Sequence, residues 1–143
     1  MILPDVNILI HAHDPRSPHH ERARTWWSDA LSGTEIVALP WATLLGFIRI
    51  TTNRAILANP LSVGDALRYA EDWLAQPNAR VIQPTDRHAE LLANFLRRLG
   101  TAGNLTTDAH LAALAIEHGC TLHSTDADFA RFPGLRWRNP LTR

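Results

Sequence analysis

Four short apolar runs, each turned at once toward a helix or turn, constrain this chain more than any other feature. "MILP" runs into "DVNILIHAHD", "EIVALP" into "WATLLGFIRITTN", "ARVIQP" into "TDRHAELLANFLRRLG", and "CTLHS" into "TDADFARF". Apolar runs this short, bounded by Pro, Asp or Ser, are strand-sized. The segments between them carry apolar residues at helical spacing, as at Trp41, Leu44, Leu45 and Ile48. Pro15 and Pro18 break the first helix, and Ser17 or Pro18 opens a second through "HHERARTWWSDAL", stopped at Ser32-Gly33. Ser62 caps the helix "SVGDALRYAEDWLAQ" with Asp65 three residues on, and Thr85 caps the next. Gly100 and Gly119 close the last two long helices, and "GLRWRNP" supplies a late short strand. Strands alternating with helices imply a short, mostly parallel central sheet covered on both faces, an α/β domain. In such a sheet, sites lie beyond the carboxyl ends of the strands.

That rule selects the chemistry. Asp5 follows the first strand directly, and Asp126 and Asp128 follow the strand that ends near His123. Asp108 stands in the first turn of "LTTDAHLAALAIEHG". Singly, each has an ordinary use: Asp5 in a turn, Asp108 at a helix start, and Asp126 as cap of a short helix through "ADFARF". Gathered at one sheet edge they repel, and each is expected to have a raised pKa. A hard divalent cation resolves that conflict. Mg²⁺, with Mn²⁺ as substitute, takes oxygen ligands and keeps waters for a phosphate substrate. The chemistry this supports is phosphodiester hydrolysis without a protein nucleophile.

Composition narrows the field further. The chain has 143 residues, 45% of them apolar, so one domain spanning 1–143 with one core is expected. Formal charge sums to zero, so bulk charge names no partner. All 14 basic residues are Arg, which removes Schiff-base lysines and the phosphate-loop lysine. The single cysteine, Cys120, reads as a core residue, and no disulfide can form within the chain. Neither a basic leader nor a membrane-length apolar run is present, so a cytoplasmic location is expected.

On the motifs "DVNILIHA", "LLGFIRITTNR", "LTTDAHLAALAIEHG", "STDADFARF" and "LRWRNPL", in that order, the sequence resembles the PIN-domain ribonucleases of the VapC type, toxins of type II toxin–antitoxin pairs. The resemblance spans essentially the whole chain. It implies a PIN-like three-layer α/β/α domain and a Mg²⁺-dependent endoribonuclease that cuts tRNA or ribosomal RNA loops and inhibits translation. It further implies a 5′-phosphate and a 3′-hydroxyl as products, a VapB-type antitoxin partner and a homodimer. Residue by residue, Asp5, Asp108 and Asp126 match the family's catalytic acids, and Asp128 matches a further acid that joins them as metal ligands. Ser124 and Asn7 match the residues that orient this set from behind. The departure is the second acid, whose position is held by Gly46. Asp128 can supply the missing charge, Thr43 a weak hydroxyl, or the site can bind fewer ions less tightly. The alternative reading is a PIN-fold module that binds RNA or a partner with weakened catalysis.

Several other features bear on partners. Arg49 and Arg54 flank two threonines and an asparagine, a pattern that binds phosphate oxygens, although Arg49 can instead pair with a carboxylate. Arg131, Arg136, Arg138 and Arg143 interleave with Phe129, Phe132 and Trp137, either as an RNA platform or as a last strand with its aromatics inside. Trp26 and Trp27, with Leu31, are candidate anchors for an antitoxin helix. The eight histidines lack zinc spacing and read as structural or surface residues; His110 alone falls near the carboxylates. A haloacid-dehalogenase-like phosphatase needs an Asp two residues after the first; here that residue is Asn7.

Overall fold

The structure, a computed structural model, describes residues 1–142. Five strands form one sheet: β1 Ile2–Pro4, β2 Val37–Leu39, β3 Ala79–Val81, β4 Thr121–His123 and β5 Trp137–Arg138. Their order is β3-β2-β1-β4-β5, and every pairing is parallel. Six helices alternate with them: α1 Val6–His13, α2 His20–Ser32, α3 Trp41–Thr51, α4 Val63–Leu74, α5 His88–Leu99 and α6 Leu105–His118. A short 3₁₀ turn, Ala127–Arg131, precedes β5.

The two sheet faces have separate cores. On one side α1, α2, α3 and α4 bury Leu9, Trp27, Leu44, Phe47 and Trp73 against Val37 and Leu39. On the other, α5 and α6 bury Phe95, Leu111, Ala112 and Leu114 against Leu3 and Leu122, with Phe129 and Phe132 closing the end. This is the three-layer α/β/α arrangement. Each fully buried Leu or Phe contributes roughly 1.5–3 kcal/mol, which makes strands of three residues viable here. Their side chains are covered from both faces, so they read as continuous apolar runs rather than alternating ones. The alanines of α6 remain buried from Ala109 to Ala115 and let that helix lie close to the sheet.

Local signals set most boundaries. Asp5 caps α1, its Oδ1 accepting from the Val6 amide at 2.7 Å. Ser62 caps α4 by accepting from Asp65 N. Gly100 and Gly119 end α5 and α6 in the left-handed conformation, where a side chain would be strained. Two expectations are corrected. Thr85 does not cap α5, whose cap is Arg87; its hydroxyl and amide donate to Glu117 Oε1 at 2.6 and 2.8 Å, and the hydroxyl accepts only from Arg87 N, at 3.2 Å. The stripe Trp41–Leu44–Leu45–Ile48 does not face inward as one. Leu44 is buried, while Trp41 and Leu45 are 46% and 58% exposed. The buried face of α3 runs through Thr43, Leu44, Gly46 and Phe47.

Candidate active site

β1 and β4 are adjacent and parallel, with Pro4 opposite His123. The residues after their carboxyl ends therefore meet. Asp5 is buried at this edge and Ser124 is fully buried beside it. Ser124 Oγ donates to Asp5 Oδ2 at 2.8 Å and accepts from the Asn7 amide and from Asp126 N, each at 3.0 Å. One hydrogen and two lone pairs are thus all used, which fixes the hydroxyl's direction. Asn7 Oδ1 receives a longer contact from Thr125 N at 3.4 Å. Asp126 Oδ1 accepts from Asp128 N at 2.9 Å, so it starts the 3₁₀ turn while standing at the edge. Asp128 is exposed on that turn.

Asp108, in the first turn of α6, completes the group. Its pKa is pushed up to about 6, first by partial burial and then by the charges of Asp5, Asp126 and Asp128. Asp5 is also raised, chiefly by burial and in part by Asp126, against the opposing hydrogen bonds from Ser124 and Val6. Among the described residues, no cationic side chain offsets the charge of either acid. Among the described residues, no three His, Cys, Asp or Glu side chains stand close enough together, as placed, to hold a metal ion. The arrangement is an open rim of hard oxygen donors that retain unused lone pairs and carry an electrostatic cost. That donor chemistry fits Mg²⁺ or Mn²⁺, which keep several waters, and does not fit a closed zinc cage.

The second-acid position is closed to a side chain without movement. A Cβ at Gly46 would stand 3.3 Å from Val6 Cγ2. α3 approaches α1 there, and Thr43 Oγ1 donates to Pro4 O at 3.0 Å. Thr43 is therefore committed to the backbone just before Asp5.

The arginines divide. Arg138 lies opposite His123 in the β4–β5 pair, with its carbonyl accepting from Ser124 N at 3.1 Å, next to the carboxylate edge. Arg136 reaches the other way, to Gly119 O at 2.6 Å before β4 begins. Arg49 and Arg54 are exposed, and among the described residues neither pairs with a carboxylate. Phe129 and Phe132 are core residues, and Trp137 donates to Ser124 O at 3.1 Å, so these aromatics form no open platform. Arg131 is exposed, and Arg143 lies outside the described residues.

The histidine nearest the carboxylates in sequence faces elsewhere. His110 Nδ1 lies 2.9 Å from His88 Nε2, and His88 Nδ1 lies 2.6 Å from Glu117 Oε2. Sequence reading missed this network. Its only linear trace is that His110 and Glu117 lie two helical turns apart on one face of α6.

Of the two adjacent tryptophans, Trp27 is buried and Trp26 is half-buried, packed against His123 with ring centroids 5.1 Å apart. Burial first, then the charge of Arg138, pushes the His123 pKa down to about 4. Trp27 and Leu31 border a groove of about 440 Å³ shared with Leu9, Phe47, Tyr69 and Trp73.

The PIN domain family model matches residues 2–135. Two ribonucleases of Mycobacterium tuberculosis are similar over nearly the whole chain. VapC33 is 44% identical over 141 residues, covering 99% of each chain. VapC37 is 44% identical over 140 residues, covering 98% of this chain and 97% of that one. Among solved structures, VapBC-1 from nontypeable Haemophilus influenzae superposes with a TM-score of 0.70 at 18% identity, covering 99% of this chain and 100% of that one. The M. tuberculosis VapC20, a sarcin–ricin loop cleaving toxin, has a TM-score of 0.68 at 19% identity, covering 95% and 99%.

Proposed function

Because the chain belongs to the PIN domain family, among the VapC ribonucleases, we propose that it is a metal-dependent endoribonuclease serving as the toxin of a toxin–antitoxin pair. The observation that carries the reading is the convergence of Asp5, Asp108, Asp126 and Asp128 at one sheet edge, with Asp108 raised to about 6 by burial and by the other three. A module that only binds RNA gains nothing from that repulsion, so the binding-only reading is not favoured. Asp5, Asp108 and Asp126 would hold Mg²⁺ or Mn²⁺, with Asp128 in reach directly or through water. Bound there, the ion supplies charge to polarise a phosphoryl oxygen and to lower the pKa of an attacking water.

The chain's own residues do the rest. Ser124 and Val6 N each occupy one Asp5 oxygen and hold that carboxylate in a single orientation. Asn7 ties Ser124 to the Thr125 loop and so keeps Asp126 level with Asp5. Arg138, Arg49 and Arg54 offer guanidinium groups to phosphates, while the Arg136 guanidinium is turned to Gly119 O. Hydrolysis leaves a 5′-phosphate and a 3′-hydroxyl. The substrate is a loop of transfer or ribosomal RNA, where unstacked bases can be reached and cutting stops translation.

A VapB-type antitoxin is the partner. The groove bordered by Trp27, Leu31, Phe47, Tyr69 and Trp73 is the place for its apolar segment, since it sits in the helical layer behind Asp5. The protein acts in the cytoplasm, as a homodimer. No described helix is long and apolar enough to cross a membrane.

The test is cleavage of total RNA by purified, antitoxin-free protein with Mg²⁺, with Mn²⁺ and with chelator, beside Asp5→Asn. Discrete cuts that require metal and disappear in the variant are expected. A folded wild-type protein that cuts no RNA class with either metal would overturn the reading.

A further inference from the structure

The outer face of α3 carries Trp41, Leu45 and Arg49 at four-residue intervals, all exposed. An indole 46% open to solvent at the first position of a helix is not explained by the core, which α3 meets with its other face. Its surroundings are specific. Gly46 lies against Val6, the residue after Asp5, and Thr43 bonds to Pro4, the residue before it. α3 therefore flanks Asp5 at the level of Gly46. At 1.5 Å per residue, Trp41 lies about 7.5 Å to one side of that level and Arg49 about 4.5 Å to the other.

Charge tells what this stripe can meet. From Ile36 to Gly64 the sequence contains no Asp or Glu, yet it contains Arg49 and Arg54. An exposed aromatic and a guanidinium with no carboxylate partner among the described residues, on one acid-free stretch, suit a polyanion that carries flat apolar rings. They suit a second copy of the chain less well. Such a contact would desolvate Arg49 with no carboxylate on the stripe to receive it.

We propose that Trp41 stacks an unpaired base of an RNA strand whose backbone is held at Arg49, along the outer face of the helix that flanks Asp5. This rests on the ribonuclease reading for its substrate and adds the position of one base. Stacking accepts any base, because each has a π-face, so Trp41 selects single-stranded over paired RNA rather than one sequence over another.

The experiment measures fluorescence anisotropy of a labelled single-stranded oligoadenylate, and of an RNA duplex of equal length, without added divalent metal. The proteins are wild type, Trp41→Ala, Trp41→Phe and Leu45→Ala, with oligomeric state followed by light scattering and total-RNA cleavage measured in parallel. Wild type is expected to prefer the single strand. Trp41→Ala should weaken that binding about 5- to 150-fold, the range seen for one base stacked on an aromatic. Trp41→Phe should recover most of it, Leu45→Ala should change it little, and all four should keep one oligomeric state. Wild type that does not bind the single strand, or equal binding by Trp41→Ala, overturns the proposal. So does a change of oligomeric state in Trp41→Ala, which assigns the face to a contact between copies. Trp41-dependent binding by a protein that cuts no RNA leaves the stacking site standing and removes the nuclease reading instead.

Discussion

Ser124 Oγ donates to Asp5 Oδ2 at 2.8 Å, joining residues 119 positions apart in the chain. The same hydroxyl accepts from Asn7 and Asp126 N, so a single oxygen braces three parts of the carboxylate edge. Ser124→Ala removes the donor to Asp5 and leaves two half-buried donors without a partner. The expected cost is about 1–3 kcal/mol of stability, together with a several-fold loss of Mn²⁺ affinity, since Asp5 Oδ2 loses its donor and only the Val6 amide still holds the carboxylate. Thermal unfolding and titration calorimetry check the two parts separately. A variant with wild-type affinity would show that Asp5 needs no orienting partner.

Asp108 gives a stability prediction with a definite sign. Its folded pKa of about 6 lies above its ordinary value of 3.8, so the folded state favours the protonated form. Stability from this group is present below pH 3.8 and is lost as pH rises through 6. Asp108→Asn should therefore stabilise the metal-free protein at pH 7 and lose that advantage by about pH 4. The carboxylate is half-buried, and solvent screening reduces the effect to on the order of 1 kcal/mol, roughly 3 °C in melting temperature. Melting curves of both proteins across that range are the measurement. A wild-type protein more stable than the variant at pH 7 without metal would contradict the repulsion.

Gly46 tests how tightly α3 is set against α1. Alanine there gains about 1 kcal/mol of helix propensity but presses a methyl on Val6, whose amide holds Asp5 Oδ1. Stability should change little while cleavage falls several-fold. Gly46→Glu should not raise activity, because the acid enters only by displacing Val6. Single-turnover rates beside melting temperatures separate the two effects.

Glu117 is a fully covered carboxylate on α6 bound to Thr85 and His88. Burial pushes its pKa up, but the three hydrogen bonds and the His88 charge outweigh it and the net direction is down. A lowered carboxylate stabilises the fold above its ordinary value of 4.5 and loses that contribution as pH falls. Glu117→Gln should cost about 1.5–3 kcal/mol at pH 7, the worth of hydrogen bonds to a charged group. The penalty should shrink in acid, as read from unfolding midpoints at pH 7 and pH 4.

The groove offers a partner test that spares the core. Tyr69 is 43% exposed at its rim, with its ring centroid 5.5 Å from that of His13. Tyr69→Ala should leave the melting temperature within a few degrees of wild type and weaken capture of a co-expressed antitoxin about tenfold, the cost of truncating one aromatic anchor of an interface. Undiminished capture would move the docking surface elsewhere.

How much of this was legible in the chain differs by residue. The alternation of strands and helices, and the placing of Asp5 and Asp126 at one sheet edge, follow from punctuation: each apolar run stops at Pro, Asp or Ser and reverses as a helix or turn. The strand order does not. Asn7 and Ser124 were reached through family resemblance, and the hydrogen bonds supply their reason. Helical spacing could not say which side of α3 faces in, because Leu44 and Leu45 are equally apolar; the close approach at Gly46 decides it. Thr85 looks like a cap in any linear reading, since only the fold brings Glu117 within reach. Arg136 and Arg138 are two apart on a strand, and nothing in the chain says that one guanidinium would turn back to Gly119.

The Asp5–Ser124 contact also sets a schedule for synthesis. At 5–20 residues per second, a ribosome needs on the order of ten seconds to travel from one to the other. Until β4 has emerged and docked beside β1, Asp5 has neither its brace nor its neighbour Asp126. A nascent chain that ends before β4 therefore has no assembled carboxylate edge.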